Sequence, residues 1–176
     1  RPLFGTNCCN HFRLYTGDIE RGFAEADLVL EETFRVPAAQ HVAMEPHAAL
    51  AYWEDGRLVV ISGTQTPFNT RQILAQIFGL PAERVRIVVP PMGGSFGCKV
   101  FPRIEPQVAV LSSLTGRPVK LVLDRYEEFL TLTRHATVVT IRLGLTRDGR
   151  ITAKRVEAYW STGAYADCGP DVARKG

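Results

Sequence analysis

Residues 48–64, AALAYWEDGRLVVISGT, decide how the rest of the chain is read. Two apolar runs meet at Asp55-Gly56, a pair favoured in two-residue type I′ turns because both central positions need positive φ. The stretch therefore predicts a β-hairpin. The hydrophobic period then changes. In TPFNTRQILAQIFG, 66–79, Ile73, Ile77 and Phe78 share one helical face, with Thr66 as cap, Pro67 in the first turn and Gly79 as stop. RVRIVV, 84–89, reads as the next strand.

Working outward, TGDIERGFAEA, 16–26, opens with Asp18 as N-cap and carries Ile19, Phe23 and Ala26 at helical spacing. LVLEETFRVP, 28–37, reads as a strand ended by Pro37. Beyond the central stretch, FPRIEPQVAVLSSLTG, 101–116, predicts a helix from about Phe101 to Gly116. RPVKLVLD, 117–124, is a buried strand and YEEFLTLT, 126–133, a short helical turn. A second long hairpin surrounds Asp148-Gly149 within 136–160. The two halves share this local logic without a sequence repeat. Hairpins mixed with helix–strand units give an α+β class, with a mixed sheet, β-hairpins and helices packed on one face.

Hydrophobic residues make up 45% of the 176 and charged residues 22%, the composition of a globular chain. A net charge of +3, spread evenly, excludes a nucleic-acid surface as the leading expectation. No apolar run approaches the ~20 residues of a membrane helix. Cys8 and Cys9 are adjacent, and Cys98 and Cys168 lie far away, so no disulfide framework is expected. CCNH lacks the paired spacing of a zinc site. Reduced thiols of a cytoplasmic protein are the plain reading. Arg1 at one end and DVARKG, 171–176, at the other read as cuts. Residues 1–13 are therefore expected to be a connector and 14–176 part of a larger domain.

The chemistry concentrates in PPMGGSFGCKV, 90–100, directly after a predicted strand. Glycines there permit positive φ and close approach of backbone to a ligand. Successive N–H groups in such a turn, followed by a helix, suit a phosphate or another electron-rich group. The stretch matches neither a dinucleotide fingerprint nor a phosphate loop, since Val100 and not Ser or Thr follows Lys99. Three readings are open on these residues. One is a tight turn without a ligand, belonging to a non-enzymatic interaction module. Another is an enzyme that cradles a nucleotide phosphate, which needs an acid about 20 residues further on; Asp124 is the one near that distance. The third comes from the wider pattern.

That pattern runs through GDIERGFAEADLVLEETFRVPAAQHVAMEPHAALAYW, ISGTQTPFNTRQILAQIFGLPAERVRIVVPPMGGSFGCKV and TGRPVKLVLDRYEEF. In this order the motifs resemble the xanthine dehydrogenase/aldehyde oxidase family, specifically the first part of the molybdenum-cofactor-binding domain, from about Leu14 to Gly176. The resemblance implies a molybdopterin enzyme, with the pterin alone or in a dinucleotide form. Such an enzyme hydroxylates a carbon centre using water and passes electrons to iron–sulfur clusters and a flavin in partner subunits or domains.

The resemblance also implies residue roles. Gln65 of SGTQTPFNTR matches a glutamine that hydrogen-bonds an oxygen ligand of molybdenum, a task suited to an amide that donates without titrating. Gly93, Gly94, Ser95, Phe96 and Gly97 match the family's glycine–phenylalanine loop, whose backbone approaches metal and pterin, with Phe96 as an apolar wall. Ser95 and Cys98 replace glycines of that loop, so their φ values are expected to be negative or strained. Val100 stands where purine-oxidising members carry a substrate-holding glutamate, which favours an aldehyde or N-heteroaromatic substrate over xanthine. Arg174 falls, across an alignment gap, near a substrate-contacting arginine. The family's catalytic base lies further along, so no catalytic residue is assigned here and these residues alone are expected to be inactive. Glu45 and His47 could form an acid–imidazole pair, but Pro46 separates them and a structural role is expected. Glu105 and Asp124 are read as structural carboxylates too.

Overall fold

A computed structural model of the chain describes residues 5–175; residues 1–4 of the expected connector, and Gly176, lie outside the described residues. In chain order the elements are α1 (Ile19–Ala24), β1 (Leu28–Val36), β2 (Ala48–Glu54), β3 (Arg57–Ser62), α2 (Pro67–Phe78), β4 (Val85–Val88), α3 (Glu105–Thr115), β5 (Val119–Val122), α4 (Arg125–Thr131), β6 (Ala136–Leu145), β7 (Ile151–Ser161) and α5 (Gly169–Lys175). They fall into two compact units, Gln40–Thr133 and the remainder on either side of it in sequence. No helix among the described residues is long and apolar enough to cross a membrane.

The unit Gln40–Thr133 grows from the Asp55-Gly56 hairpin. Both turn residues have positive φ, 49° and 71°, as the type I′ turn requires. β3 then crosses over through α2 to β4, which lies parallel to it, while β5 pairs antiparallel with β2. The sheet order is β4-β3-β2-β5, a mixed sheet. Because strand side chains alternate, its registers place Ala49, Ala51, Leu58, Val60, Val85, Ile87, Val119 and Leu121 on one face. Against that face α2 brings Leu74 and Ala75, and α3 brings Val108 and Ala109, closing the core. Trp53 and Phe78 meet edge to face, centroids 5.3 Å apart, at its margin. Gly79 and Gly116 end the two helices with φ of 61° and 62°, the left-handed stop that glycine adopts without a Cβ penalty.

Two local expectations change. α3 begins at Glu105 and not at Phe101. Pro102 disfavours a helical Phe101, whereas Pro106 occupies the first turn, where a missing N–H goes unnoticed. Thr66 does stand at the cap of α2, but its hydroxyl makes no capping bond. It donates instead to the carbonyl of Val100.

In the other unit, β1, β6 and β7 form a separate antiparallel sheet of order β1-β6-β7. Thr33 and Thr140 face each other across it with hydroxyls 2.9 Å apart. The second hairpin closes by Thr146 and Arg150, with Gly149 at φ 85° and a bulge at Gly144/Leu145. α1, capped by Asp18 as expected, lies on β7. A Cβ at Gly22 would come 2.5 Å from the Thr152 carbonyl oxygen, so only glycine allows this approach.

Candidate functional site

β3 and β4 are neighbours and parallel, so their carboxyl ends leave the sheet side by side. Ligands of open α/β sheets commonly bind outside such ends. The two connections that start there, 63–66 leading to α2 and 89–104 leading to α3, meet directly. The Gln65 N–H donates to the Lys99 carbonyl at 2.9 Å. In return the Gln65 Oε1 accepts the N–H groups of Gly97 and Lys99 at 3.2 and 3.3 Å. Thr64 adds a hydroxyl bond to the Lys99 carbonyl, 3.4 Å. Gln65 and the loop that holds Phe96, 31 positions on, are thus bonded into one piece.

These bonds orient the Gln65 amide. An amide oxygen that accepts two N–H groups leaves its NH2 group as the outward donor. The loop follows the glycine logic. Gly94 has φ 103° and Gly97 φ 95°; Phe96, unlike Ser95 and Cys98, also has positive φ, 52°. A Cβ at Gly94 would lie 3.0 Å from the Phe96 ring, so the ring folds back over that glycine. Phe96 remains 73% exposed, a large apolar side chain held outside the core.

Within the loop the Cys98 N–H and thiol both donate to the Ser95 carbonyl, at 2.9 and 2.7 Å. Burial pushes the Cys98 thiol up from its ordinary pKa, with Lys99 opposing. The Gly93 N–H donates to the Glu45 carboxylate, and that of Gly97 is taken by Gln65. The N–H groups of Gly94, Ser95 and Phe96 have no partner among the described residues. The site therefore presents backbone donors, one oriented amide donor and an apolar ring. That donor set fits an oxygen-rich, electron-rich cofactor such as a metal-bound pterin.

The expected carboxylates are otherwise engaged. Glu45 and His47 do not pair with each other. His47 lies 2.8 Å through Nδ1 from Glu128 Oε1 and 3.1 Å through Nε2 from the Cys98 carbonyl, with both side chains buried. Glu45 lies 3.4 Å from the buried Lys99 ammonium, an ion pair without hydrogen-bond alignment. Glu105 is buried and accepts from Ser62 at 2.6 Å and from the Arg103 N–H at 2.9 Å. Asp124 caps α4 in a capping box with Glu127, which removes the acid that a nucleotide reading needs. Val100 is half-buried at the loop's end. Arg174 belongs to the other unit, where it pairs with Asp171 of its own helix at 3.2 Å.

Sequence reading missed Glu128 and Lys99 as parts of this site. Glu128 meets His47 from 81 positions away, and nothing local announces that contact. The Gln65–loop contact joins two turns that leave neighbouring parallel strands and lead into helices.

The molybdopterin cofactor-binding domain family matches residues 4–176. The chain is 42% identical over 158 residues to a probable xanthine dehydrogenase component of Bacillus subtilis, covering 89% of this chain and 21% of that protein. It is 36% identical over 170 residues to the nicotinate dehydrogenase large molybdopterin subunit of Eubacterium barkeri, covering 95% of this chain and 40% of that one. Among solved structures, the aldehyde oxidoreductase from Desulfovibrio gigas superposes with a TM-score of 0.81 at 28% identity, over 90% of this chain and 18% of that one. The chain thus spans about a fifth and two fifths of the length of these two curated relatives.

Proposed function

The chain belongs to the molybdopterin cofactor-binding domain family of xanthine dehydrogenase/aldehyde oxidase-type enzymes, and we propose that Gln65 and residues 93–97 form the part of a molybdenum–pterin site that it contributes. The carrying observation is the joined pair of turns, in which Gln65 is oriented by the loop and three consecutive backbone N–H groups, Gly94 to Phe96, have no other partner among the described residues. When bound, the group supplies a Lewis acid, an activated hydroxide and a two-electron sink for hydroxylating a carbon centre with water-derived oxygen. The chain's own residues hold and shield it: the amide and loop N–H groups donate to it, and Phe96 covers it from bulk water. Electrons leave through iron–sulfur clusters and a flavin in partner subunits or domains, in a cytoplasmic enzyme acting on a small molecule. Metal and pterin analysis of the intact protein tests the reading. Bound molybdenum and pterin support it; a protein purified folded with nucleotide and no molybdenum refutes it.

The substrate class follows from Val100. The relatives' names divide among xanthine, nicotinate and aldehydes, so overall similarity does not select one. Val100 offers methyl groups where purine-oxidising relatives present a carboxylate, and it cannot pair with a purine N–H. A site lacking a buried polar partner discriminates by roughly 1–3 kcal/mol. The intact enzyme should therefore have a higher kcat/KM for benzaldehyde, or for an N-heteroaromatic acid, than for xanthine. Val100→Glu should move the ratio towards xanthine by about tenfold, and incompletely, since a single carboxylate does not supply every contact a purine needs. A native preference for xanthine would refute the assignment.

A further inference from the structure

The loop 93–99 has little internal bonding: the described residues give it only the two Cys98–Ser95 contacts of its own. Its shape must come from outside. Gln65 and Thr64 hold one flank. The rest is held by two residues that the site's chemistry does not use, and resting on the reading of this loop as a cofactor cradle, we infer that Glu45 and His47 are its positioning residues.

Glu45 grips both ends of the loop. At the start, its N–H donates to the Gly93 carbonyl at 3.1 Å and its carboxylate accepts the Gly93 N–H. At the end, its other carboxylate oxygen lies 3.4 Å from the ammonium of Lys99, whose side chain is 2% exposed. The space around Glu45 is reserved by missing side chains. A Cβ at Gly93 would come 2.7 Å from the Glu45 Cβ, and one at Gly63 would come 2.9 Å from its Oε1. A glycine on each side is what lets the carboxylate reach in.

His47 holds the interior. Its Nε2 faces the Cys98 carbonyl, which only accepts, so Nε2 carries a hydrogen. Its Nδ1 faces the Glu128 carboxyl, which also receives the His47 backbone N–H and lies 3.4 Å from the Gln40 amide. The ring thus donates to the loop through Nε2. α4 anchors this segment a second time, because Arg125 donates to the carbonyls of Ala43 and Met44 at 2.8 and 3.0 Å. The brace therefore runs from α4 through residues 43–47 into the segment that carries the unpartnered N–H groups. Supporting contacts of this kind typically change metal affinity or activity by about 10–100-fold when removed.

A merely space-filling role for buried His47 would tolerate an apolar replacement; a donor to the loop would not. The test uses the intact protein in a Glu128→Gln background, so that no carboxylate is left buried and unpaired. There, His47→Gln keeps a side-chain N–H for the Cys98 carbonyl and His47→Leu does not. We expect the leucine variant to fold, by circular dichroism, yet to hold about tenfold less molybdenum and pterin than the glutamine variant and to show an altered Mo(V) EPR signature. In parallel, Glu45→Gln and Lys99→Met should each lower cofactor content, since each releases the end of the loop. Equal cofactor content and identical spectra across the variants would overturn the inference. So would failure of the leucine variant alone to fold, since the bond would then serve the unit's fold and not the loop. A wild-type protein without molybdenum would instead sink the proposed cofactor site itself.

Discussion

Glu105→Ala should destabilise the Gln40–Thr133 unit by about 3 kcal/mol, the expected scale for removing one partner from a buried polar network. Glu105 is 4% exposed. Its two oxygens accept the Ser62 hydroxyl at 2.6 Å and the N–H groups of Arg103 and Ile104 at 2.9 and 3.2 Å. Alanine leaves the buried Ser62 hydroxyl and Ile104 N–H, and the half-buried Arg103 N–H, without this acceptor. It also removes a carboxylate from the first turn of α3, worth a further ~0.3–1 kcal/mol. At roughly 2–4 °C per kcal/mol for a chain of this size, the melting temperature should fall by about 6–12 °C. The effect should be non-additive with Ser62→Ala, because both changes break the same bond. Thermal denaturation followed by circular dichroism checks both statements. A shift under about 2 °C for Glu105→Ala would mean that the three donors find new partners, and that α3 does not depend on its own first residue.

This carboxylate also shows how far the sequence could be read. It was read as a structural carboxylate, and the structure places it in the first turn of α3, where a carboxylate complements the helix N-terminus. Its bond to Ser62, 43 positions earlier, was out of reach. The same division recurs throughout. Asp55-Gly56, Asp18 and the glycine stops carry their conformations in their own chemistry, so the hairpin, α1 and the helix ends were legible. The pairing of β1 with β6 was not, because nothing in the local sequence of Leu28–Val36 singles out one partner strand. The second hairpin was visible, but its separation into a sheet of its own depends on that long-range pairing. In the site, the loop was legible from its glycines after a strand and Gln65 from the family resemblance; their direct bonding needed β3 and β4 to be parallel neighbours. The positive φ of Phe96 ran against the expectation that glycines would absorb the strain of the loop.

Gln65→Glu should separate the bracing of the loop by Gln65 from the donation proposed for its amide. Its carbonyl oxygen accepts the N–H groups of Gly97 and Lys99, and a carboxylate oxygen would accept them at least as well, since charge strengthens such bonds. The loop should therefore keep its shape, and the melting temperature and molybdenum content should match those of the wild type. What disappears is the NH2 group on the other side of the amide, replaced by an oxygen that can only accept while ionised. If that group donates to the cofactor during turnover, kcat should fall by about 10²–10³-fold, the usual loss for one preorganised donor. Gln65→Ala should behave differently. It removes the acceptor as well, frees the Gly97 and Lys99 N–H groups, and should lower cofactor content along with kcat. Steady-state kinetics together with metal analysis on the intact enzyme distinguish the outcomes. A Gln65→Glu enzyme with undiminished kcat would leave Gln65 as a brace of the loop alone, and the amide's proposed donation would be wrong. A Gln65→Glu enzyme that loses its molybdenum while staying folded would point the other way, to a cofactor contact made in the resting state and not reserved for the reaction.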